Sequence, residues 1–375
     1  GMLYAVVERC PVLGGSMESL DDTEAKKIEG VVKVISYKGT GAPMHVRPAV
    51  AVVATNIWSA MKARKLLKIK WNEGTQNKQN TDQLFKDFAV RSKTAPGMVS
   101  FKKGTPDAIT LTPVNSITAE YAEPFLAHGT MEPINFIASV QGDHCEVWGG
   151  LQLPDWTVNT LATECGFKKE NIKVNLTLIG GGFGRRLHFE FAIETVKIAQ
   201  QLDKPVKMVC DRTDDIRFDN FRPANYHRLQ AAWDAAGKLQ LWKHHVLSTS
   251  VAVMNDPATK DPSENLGGAS SDFYYDVPNV LTGYTNVDFN ITRGWVRSVE
   301  ICMNSFPIES FIDEVAHKLK KDPLAYRLSL LEGRPMFMTG EGPGAMKQYP
   351  QRIADVLKLA AEKIGYSKPR KKNHF

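Results

Sequence analysis

Alternating apolar and polar positions in the middle of the chain predict a strand, a glycine loop and a helix in succession. Apolar residues recur at every second position over 172–178, which is the period of a half-buried strand. Helical spacing follows over 189–201, and 205–210 has the composition of a second, buried strand. The intervening glycines remove Cβ atoms that would hold a ligand at a distance. The pattern therefore predicts a loop whose backbone amides, with the first amides of the helix, approach an anionic group.

The strand period and the helix period also predict both strands and helices in the rest of the chain. Strands are predicted at 4–7, 31–35, 49–53, 69–71, 117–121, 134–140, 145–148, 229–233 and 239–246. Helices are predicted from Asn56 to Leu67, over 154–165 with Gly166 as the stop, along the apolar stripe of 308–319 and from Pro323 onward. Residues 254–276 predict a long irregular loop, either a solvent-facing connection or a substrate lid.

This order of elements predicts a mixed α/β and α+β fold in two domains. A small α/β domain is expected at 2–74, followed by a polar linker and connecting segment at 75–115 with at most one helix. An α+β domain is expected at 116–365, and 366–375 form a basic tail.

Composition excludes several classes of protein. With 375 residues, of which 43% are hydrophobic, the chain can bury a sizeable core. The net charge of +6 is modest and scattered outside the tail, which argues against nucleic-acid binding. The five cysteines have no Cys-x-x-Cys spacing, so neither a zinc ribbon nor an iron–sulfur site is expected in this chain. No apolar stretch approaches the length of about 20 residues that spans a bilayer.

Common catalytic and metal motifs fail on the residues present. A dinucleotide fingerprint counted from Gly180 would need Gly where Arg185 stands, and neither a phosphate loop nor Gly-x-Ser-x-Gly occurs.

The histidines do not suggest a metal site. His244 and His245 are adjacent on a predicted strand and therefore face opposite sides. His128 and Glu132 are four apart, but Gly129 and Pro133 disfavour the helix that would place them on one face. A buried hydrogen-bonding role is therefore expected for His128. No metal site is predicted, and a glycine turn that serves only packing remains the alternative for the loop.

The segment Gly-Gly-Gly-Phe-Gly followed by basic residues resembles the molybdopterin-binding segment of the molybdenum hydroxylase large subunit, the xanthine dehydrogenase and aldehyde oxidase family. The Arg185-Arg186 form is closest to the isoquinoline 1-oxidoreductase beta subunit branch. Other stretches match the family in the same order along the chain: His128 to Pro133, Gln152 within 149–154, 211–215, Arg222-Pro223, Arg297 within 294–299, 308–316 and 322–328.

The resemblance implies a molybdopterin cofactor with Mo, expected in its cytosine dinucleotide form, and a hammerhead-like domain at 2–74. It also implies [2Fe–2S] clusters on a partner subunit and a small aromatic or aldehyde substrate hydroxylated with oxygen from water. The residues that it assigns to cofactor binding are Gln152, Gly181, Gly182, Phe183, Gly184, Arg185, Arg186 and Arg297. Gln152 is expected to donate a hydrogen bond, Phe183 to shape the pocket, Arg297 to support the pterin, and Arg185 or Arg186 to bind the added phosphate.

Two departures from the family pattern limit what is expected. Leu187 stands where the xanthine dehydrogenase branch has an acidic residue, which argues against a purine substrate. The family's catalytic Glu lies in a Gly-x-Gly-Glu-Pro-Pro stretch, and 340–343 is only a look-alike. The base is therefore expected downstream, so that this chain is part of a large subunit, contains no catalytic residue and does not catalyse alone.

A non-catalytic scaffold or assembly subunit of the same fold is the competing hypothesis. The compartment is left open, because members of this branch often carry an upstream twin-arginine signal for the periplasm and are otherwise cytoplasmic.

Overall fold

The computed structural model describes residues 1–261, 263–339 and 344–368. Its strands are β1 (Leu3–Arg9), β2 (Ser16–Asp21), β3 (Val31–Tyr37), β4 (Ala49–Ala54), β5 (Lys68–Asn72), β6 (Met98–Lys103), β7 (Ser116–Glu123), β8 (Asn135–Gln141), β9 (His144–Gly149), β10 (Ile172–Leu176), β11 (Val206–Val209), β12 (Asn225–Trp233), β13 (Leu239–Ser248), β14 (Asn279–Asn286), β15 (Phe337–Met338) and β16 (Lys347–Gln348). Its helices are α1 (Thr23–Lys26), α2 (Ile57–Arg64), α3 (Thr81–Arg91), α4 (Pro154–Cys165), α5 (Glu190–Ala199), α6 (Arg212–Arg217), α7 (Val251–Asn255), α8 (Glu300–Lys318), α9 (Pro323–Leu331) and α10 (Pro350–Ile364).

Some predicted features lie outside these residues. They are the look-alike segment 340–343, residues 369–375 of the basic tail, and Pro262 within the predicted loop 254–276.

Local sequence signals set the ends of several helices as predicted. Asn56 caps α2, because its side-chain oxygen accepts a hydrogen bond from the backbone amide of Ser59 at 2.9 Å. Asp322 caps α9 in the same way through the amide of Ala325 at 2.8 Å. Gly166 ends α4 at φ 80°, a left-handed conformation that glycine adopts without a steric penalty.

A seven-stranded mixed sheet, in the order β10-β9-β8-β11-β1-β4-β3, forms one half of the molecule. Strands from both predicted domains share this sheet, since β1 pairs in parallel with β11 and Leu3 lies opposite Val206. Helices α4 and α5 pack on it, with Phe136 and Phe191 in edge-to-face contact in the core. The hydrogen-bonded sheet therefore crosses the predicted domain boundary, and the division at 74 and 116 stays a prediction.

A five-stranded sheet, in the order β6-β14-β13-β12-β7, forms the other half. Helix α8 packs against β7 and β12. Helix α9 packs on α8, and α10 packs on α9. The predicted stripe of 308–319 is the buried face of α8, where Phe311 contacts Trp242 from β13 with ring centroids 5.2 Å apart. The two sheets confirm the predicted mixed fold.

Two predictions around the glycine loop are corrected. The strand over 172–178 ends at Leu176, and Leu178 is 97% exposed instead of lying on the buried face. Helix α5 (Glu190–Ala199) lies within the predicted range 189–201, but a short 3-10 turn over Arg185–Leu187 separates it from the glycines. The amides available at the loop therefore belong to the loop itself and not to the helix.

The described part of 254–276 includes the end of α7 and a 3-10 turn at Ser263–Asn265. Its role as a lid stays a prediction. Across the described residues, no helix combines the length and the apolar character needed to cross a membrane.

Candidate functional site

The glycine loop after β10, residues 180–184, has its carbonyl oxygens bonded and several of its amides unbonded within the described residues. Its carbonyl oxygens each accept a hydrogen bond from the protein: Gly180 from the amide of Glu132 at 3.0 Å, Gly181 from Nε of Arg186 at 3.0 Å, Gly182 from the amide of Arg185 at 2.8 Å and Phe183 from the amide of Arg297 at 2.9 Å. By contrast, no described residue accepts a hydrogen bond from the amides of Gly181, Gly182 or Phe183. Three successive amide donors thus have no acceptor among the described residues and are available to a ligand.

Glycine is required in this loop because neighbouring segments approach its backbone closely. A Cβ atom on Gly184, which has φ 107°, would lie 1.5 Å from the carbonyl oxygen of Trp295. A Cβ on Gly182 would lie 2.6 Å from Oε1 of Gln152. The Trp295 oxygen belongs to the backbone and cannot move aside, so packing, and not only a turn, selects glycine at 184, whereas the Gln152 side chain could shift to admit a Cβ at 182.

Gln152 is held against the glycine loop by backbone amides. Its Oε1 accepts hydrogen bonds from the amides of Gly184 at 3.1 Å and Arg186 at 3.3 Å. The backbone amide of Gln152 donates in turn to the carbonyl of Arg186 at 3.0 Å. The side chain is exposed, and its Nε2 has no acceptor among the described residues. The structure therefore places Gln152 beside the loop with a free donor, as the predicted role requires.

Arg186 joins three backbone segments beneath the loop. Its fully buried guanidinium donates to the carbonyls of Gly181 at 3.0 Å and Gly150 at 3.3 Å, and to the carboxylate of Glu132 at 2.8 Å. Burial opposes the charge of Glu132, but the amides of Asn135 and Gly180 and the charge of Arg186 together hold the pKa of Glu132 below its usual value.

Arg185 is also turned into the protein. Its Nη2 lies 2.5 Å from a carboxylate oxygen of Glu190, and its Nε lies 3.0 Å from Asp219. Burial disfavours the charged form, yet these two carboxylates keep the pKa of Arg185 above its usual value. Both arginines therefore have protein partners, and the prediction that one of them binds a phosphate is disfavoured for their side chains, because a phosphate would have to displace a carboxylate.

Asp219 connects the glycine loop to residues 294–299, called the Arg297 segment below. This buried carboxylate accepts hydrogen bonds from the amide of His128 at 2.5 Å and from its Nδ1 at 2.9 Å. Nε2 of the same ring lies 3.1 Å from the carbonyl oxygen of Trp295. Although burial opposes ionisation, the bonds from His128 and the charge of Arg185 keep the pKa of Asp219 below its usual value. The buried hydrogen-bonding role predicted for His128 is confirmed.

Sequence reasoning missed Asp219. It lies four residues beyond the motif-like segment 211–215, in a stretch with no strong period of its own. Its function depends on partners that are 91 and 34 positions away in the chain, His128 and Arg185. No local signal could have identified it.

The Arg297 segment follows a strained path beside the glycine loop. The side chain of Arg297 is exposed, while its amide donates to the carbonyl of Phe183 at 2.9 Å. Ser298 and Val299 have φ values of 70° and 47°, and a β-branched residue in this region is a rare outlier. Strain of this kind persists only where surrounding contacts over-determine the conformation.

Two aromatic rings stack at the start of the Arg297 segment. The rings of His188 and Trp295 are nearly parallel, at 14°, with centroids 5.5 Å apart. Burial, and next the charge of Arg185, lower the pKa of His188 to about 3, so this ring is neutral near neutral pH. A Cβ on Gly294 would lie 2.2 Å from Nε2 of His188, so glycine is needed there for the stack to form.

Exposed apolar side chains lie in and next to the glycine loop. Leu178 is 97% exposed, Met131 88% and Phe183 48%. Met131 is next to Glu132, whose backbone amide donates a hydrogen bond to the carbonyl of Gly180. The ring of Phe183 lies 3.3 Å from the position that a Cβ atom on Gly181 would take. Directional donors within an apolar rim suit a flat, polar group that carries negative charge. Among the described residues, no group of three or more His, Cys, Asp or Glu side chains could hold a metal ion directly.

Comparison with known proteins identifies related chains. A family model described as the molybdopterin cofactor-binding domain matches residues 90–330. The chain is 30% identical to a membrane-bound aldehyde dehydrogenase [pyrroloquinoline-quinone] of Gluconacetobacter polyoxogenes, over 98% of this chain and 49% of that protein. It is 29% identical to the isoquinoline 1-oxidoreductase subunit beta of Brevundimonas diminuta, over 89% of this chain and 43% of that protein.

The fold is similar to that of a solved structure, quinoline 2-oxidoreductase from Pseudomonas putida 86, with a TM-score of 0.75 at 17% identity. The match covers 98% of this chain and 51% of that one. The chain spans about half the length of the curated relatives it matches. The family match over the glycine loop, Gln152 and Arg297, together with the 30% identity along nearly the whole chain, shows that the chain belongs to the molybdopterin cofactor-binding domain family.

Proposed function

We propose that this chain is the molybdopterin-binding portion of a molybdenum hydroxylase that oxidises an N-heteroaromatic compound or an aldehyde with water as the oxygen source. One observation carries the proposal. Gly181, Gly182 and Phe183 keep three amide donors free while the carbonyls of the loop are all bonded within the protein. In a chain of this family, such donors fit the electronegative ligands of the metal and the pterin.

The residues of the chain bind and orient the cofactor, and the cofactor supplies the oxidation. When bound, the molybdenum–pterin group provides the two-electron chemistry that transfers an oxygen atom from water to the substrate. The amides of Gly181, Gly182 and Phe183 hold electronegative ligands, and Nε2 of Gln152 donates one further hydrogen bond. Gly184 admits the carbonyl of Trp295, which keeps the Arg297 segment beside the loop.

The basic residues divide into two roles. The exposed guanidinium of Arg297 is the cation that can reach a pterin or phosphate group. Arg185 and Arg186 hold the loop from beneath through Asp219, Glu190 and Glu132. Buried arginines with carboxylate partners position a loop more readily than they bind a ligand.

The finer features of the cofactor and assembly are part of the same proposal. They are the cytosine dinucleotide form, [2Fe–2S] clusters on a partner subunit, the remaining half of the large subunit with its catalytic Glu, and assembly in the periplasm or cytoplasm. The names of the relatives support an aldehyde or N-heteroaromatic substrate, and Leu187, in place of an acid, argues against a purine.

The first test is the molybdenum content of the native protein. We would tag the protein at its own locus, purify it from its molybdate-fed host and measure Mo per chain by elemental mass spectrometry. About one Mo per chain is the expected result. Nucleotide release by acid hydrolysis, followed by mass spectrometry, would then show whether cytidine monophosphate accompanies the pterin.

The same preparation separates the alternatives. The relative from Gluconacetobacter polyoxogenes is named as a pyrroloquinoline-quinone protein, so the extract would also be assayed for that quinone. Quinone without Mo would overturn the molybdenum proposal. Neither group in a folded, full-length complex would favour the scaffold hypothesis.

A further inference from the structure

We propose that His128, held in place by Asp219, is a positioning residue that fixes the Arg297 segment against the glycine loop. This inference rests on the proposed function for its consequence, since the two segments together would form the cofactor site. The physical claim concerns the relative placement of the two segments and can be tested in the chain itself.

The His128 ring is fixed from both sides. Nδ1 faces a carboxylate oxygen of Asp219 at 2.9 Å, and Nε2 faces the carbonyl oxygen of Trp295 at 3.1 Å. Both partners are oxygen acceptors, so the ring bridges the two segments through its two nitrogens. The side chains of His128 and Asp219 are 0% and 1% exposed, which leaves water little opportunity to replace either bond.

Asp219 anchors the two segments to one carboxylate. It is 3.0 Å from Nε of Arg185, the residue directly after the glycines, and it accepts from the amide of Asn220 at 2.7 Å. Through His128 the same carboxylate reaches the carbonyl of Trp295. One buried carboxylate therefore links the two segments, by its charge to Arg185 and by hydrogen bonds through His128 to the Trp295 carbonyl.

The Arg297 segment needs such an anchor because it is strained. Ser298 and Val299 both have positive φ, a strained backbone conformation for residues other than glycine. The bond from His128 to Trp295 and the bond from the Arg297 amide to Phe183 oppose relaxation of this strain. Loss of the first bond is expected to let the segment move away from the glycine loop and weaken the second bond.

Two substitutions of His128 test its bond to Asp219 and its bond to Trp295 separately. In His128→Asn, the side-chain nitrogen takes the place of Nδ1 and keeps the bond to Asp219, but nothing reaches Trp295. In His128→Gln, the longer side chain places its nitrogen near the position of Nε2 and restores a donor for the Trp295 carbonyl. The matched control is His227→Asn, because His227 is also fully buried and its Nδ1 lies 3.0 Å from His244, on strands β12 and β13 of the other sheet.

The readout is hydrogen–deuterium exchange of peptides that cover 181–187 and 295–299, measured with Mo content in the same preparations. In His128→Asn, exchange at the Arg297 amide should rise by up to about tenfold, the factor that one net hydrogen bond supplies. Mo content should also fall, because the two segments would no longer hold the cofactor between them. His128→Gln should recover much of both, and His227→Asn should leave both peptides at the wild-type rate.

The outcomes separate the inference from the proposed function. Unchanged exchange of 295–299 in His128→Asn, or an equal rise in His227→Asn, would overturn the positioning role. Absence of Mo from the wild type would overturn the proposed function alone, since the exchange measurement would still report on the coupling of the two segments.

Discussion

Oε1 of Gln152 accepts a hydrogen bond from the backbone amide of Gly184 at 3.1 Å. The same oxygen accepts from the amide of Arg186 at 3.3 Å, which fixes the orientation of the side-chain amide. Two donors face the oxygen, so the nitrogen is the end that points away from the loop. One side chain thus supports the glycine loop with its oxygen and offers a donor with its nitrogen.

This division of roles predicts different effects for two substitutions at Gln152. Gln152→Glu keeps the acceptor and replaces the donor by an anionic oxygen, so Mo content should fall sharply with little change in the free energy of unfolding. Gln152→Ala also removes the acceptor and should lower the free energy of unfolding by about 1 kcal/mol. Urea unfolding and elemental analysis check both changes. Retention of full Mo content in Gln152→Glu would exclude Nε2 as a cofactor donor.

Gly184 provides a sharper steric test of the site. In Gly184→Ala, the new Cβ would lie 1.5 Å from the Trp295 carbonyl, so the two segments must separate. We expect a loss of about 3 kcal/mol or more in the free energy of unfolding, since the contact is with backbone and cannot be relieved by a rotamer change. Mo content should fall with it.

The matched control for this change is Gly142→Ala. Gly142 also has positive φ, at 61°, but its Cβ position is open space. The substitution should therefore show only the backbone penalty of about 1 kcal/mol and no loss of Mo. Equal effects at both positions would mean that backbone conformation, and not the Trp295 contact, selects glycine at 184.

Periodicity predicted the elements on either side of the site because these are local properties. Strand β11, helix α4 with its Gly166 stop and the buried face of α8 were all predicted from spacing and end signals. The exposure of Leu178 was not, since alternation continues past the point where pairing with β9 ends at Gly149. A side-chain period cannot show where a neighbouring strand stops.

The site divides in the same way. The family resemblance predicted the glycines, Gln152 and Arg297 as site residues, and the structure brings them together, while their binding of a cofactor stays a prediction. The orientation of Arg185 and Arg186 could not be predicted, because it depends on Asp219 and Glu132, which are distant in sequence. The sequence shows only that two arginines follow the glycines. It does not show whether their side chains face a ligand or the protein interior.

The buried position of Arg186 predicts a large cost for its removal. Arg186→Leu would leave the carboxylate of Glu132 and the carbonyls of Gly150 and Gly181 without this donor. We expect a loss of about 1–3 kcal/mol in the free energy of unfolding, the cost of leaving the buried carbonyls without a donor, because the side chain of Glu132 is 35% exposed and can be rehydrated. Chemical unfolding of the wild type and variant measures it.

A surface ion pair supplies the comparison. Arg228 pairs with Glu120 at the edge of the five-stranded sheet, where both side chains are about a quarter exposed. Arg228→Leu should cost less than about 1 kcal/mol, because water and salt screen such pairs. If Arg186→Leu were as mild as this control, Arg186 would not hold the three segments together.

Glu123 predicts a pH dependence that is independent of the glycine loop. Burial raises the pKa of this carboxyl to about 7, and the charge of Arg222 only partly opposes the rise. The folded chain therefore binds a proton that the unfolded chain releases near its ordinary pKa of 4.5. Linkage then requires stability to decrease as pH rises from about 4.5 to about 7, because the folded state binds more protons across that window.

Glu123→Gln should remove this dependence. The variant has no charge to bury, so its stability relative to the wild type should be greater at pH 8 than at pH 5. Urea unfolding of both proteins at intervals between pH 4.5 and 8 gives the difference directly, and other titrating groups cancel where they are common to both. Parallel curves over this range would show that Glu123 is ionised in the fold, and that Arg222 at 3.6 Å, or water, compensates its burial.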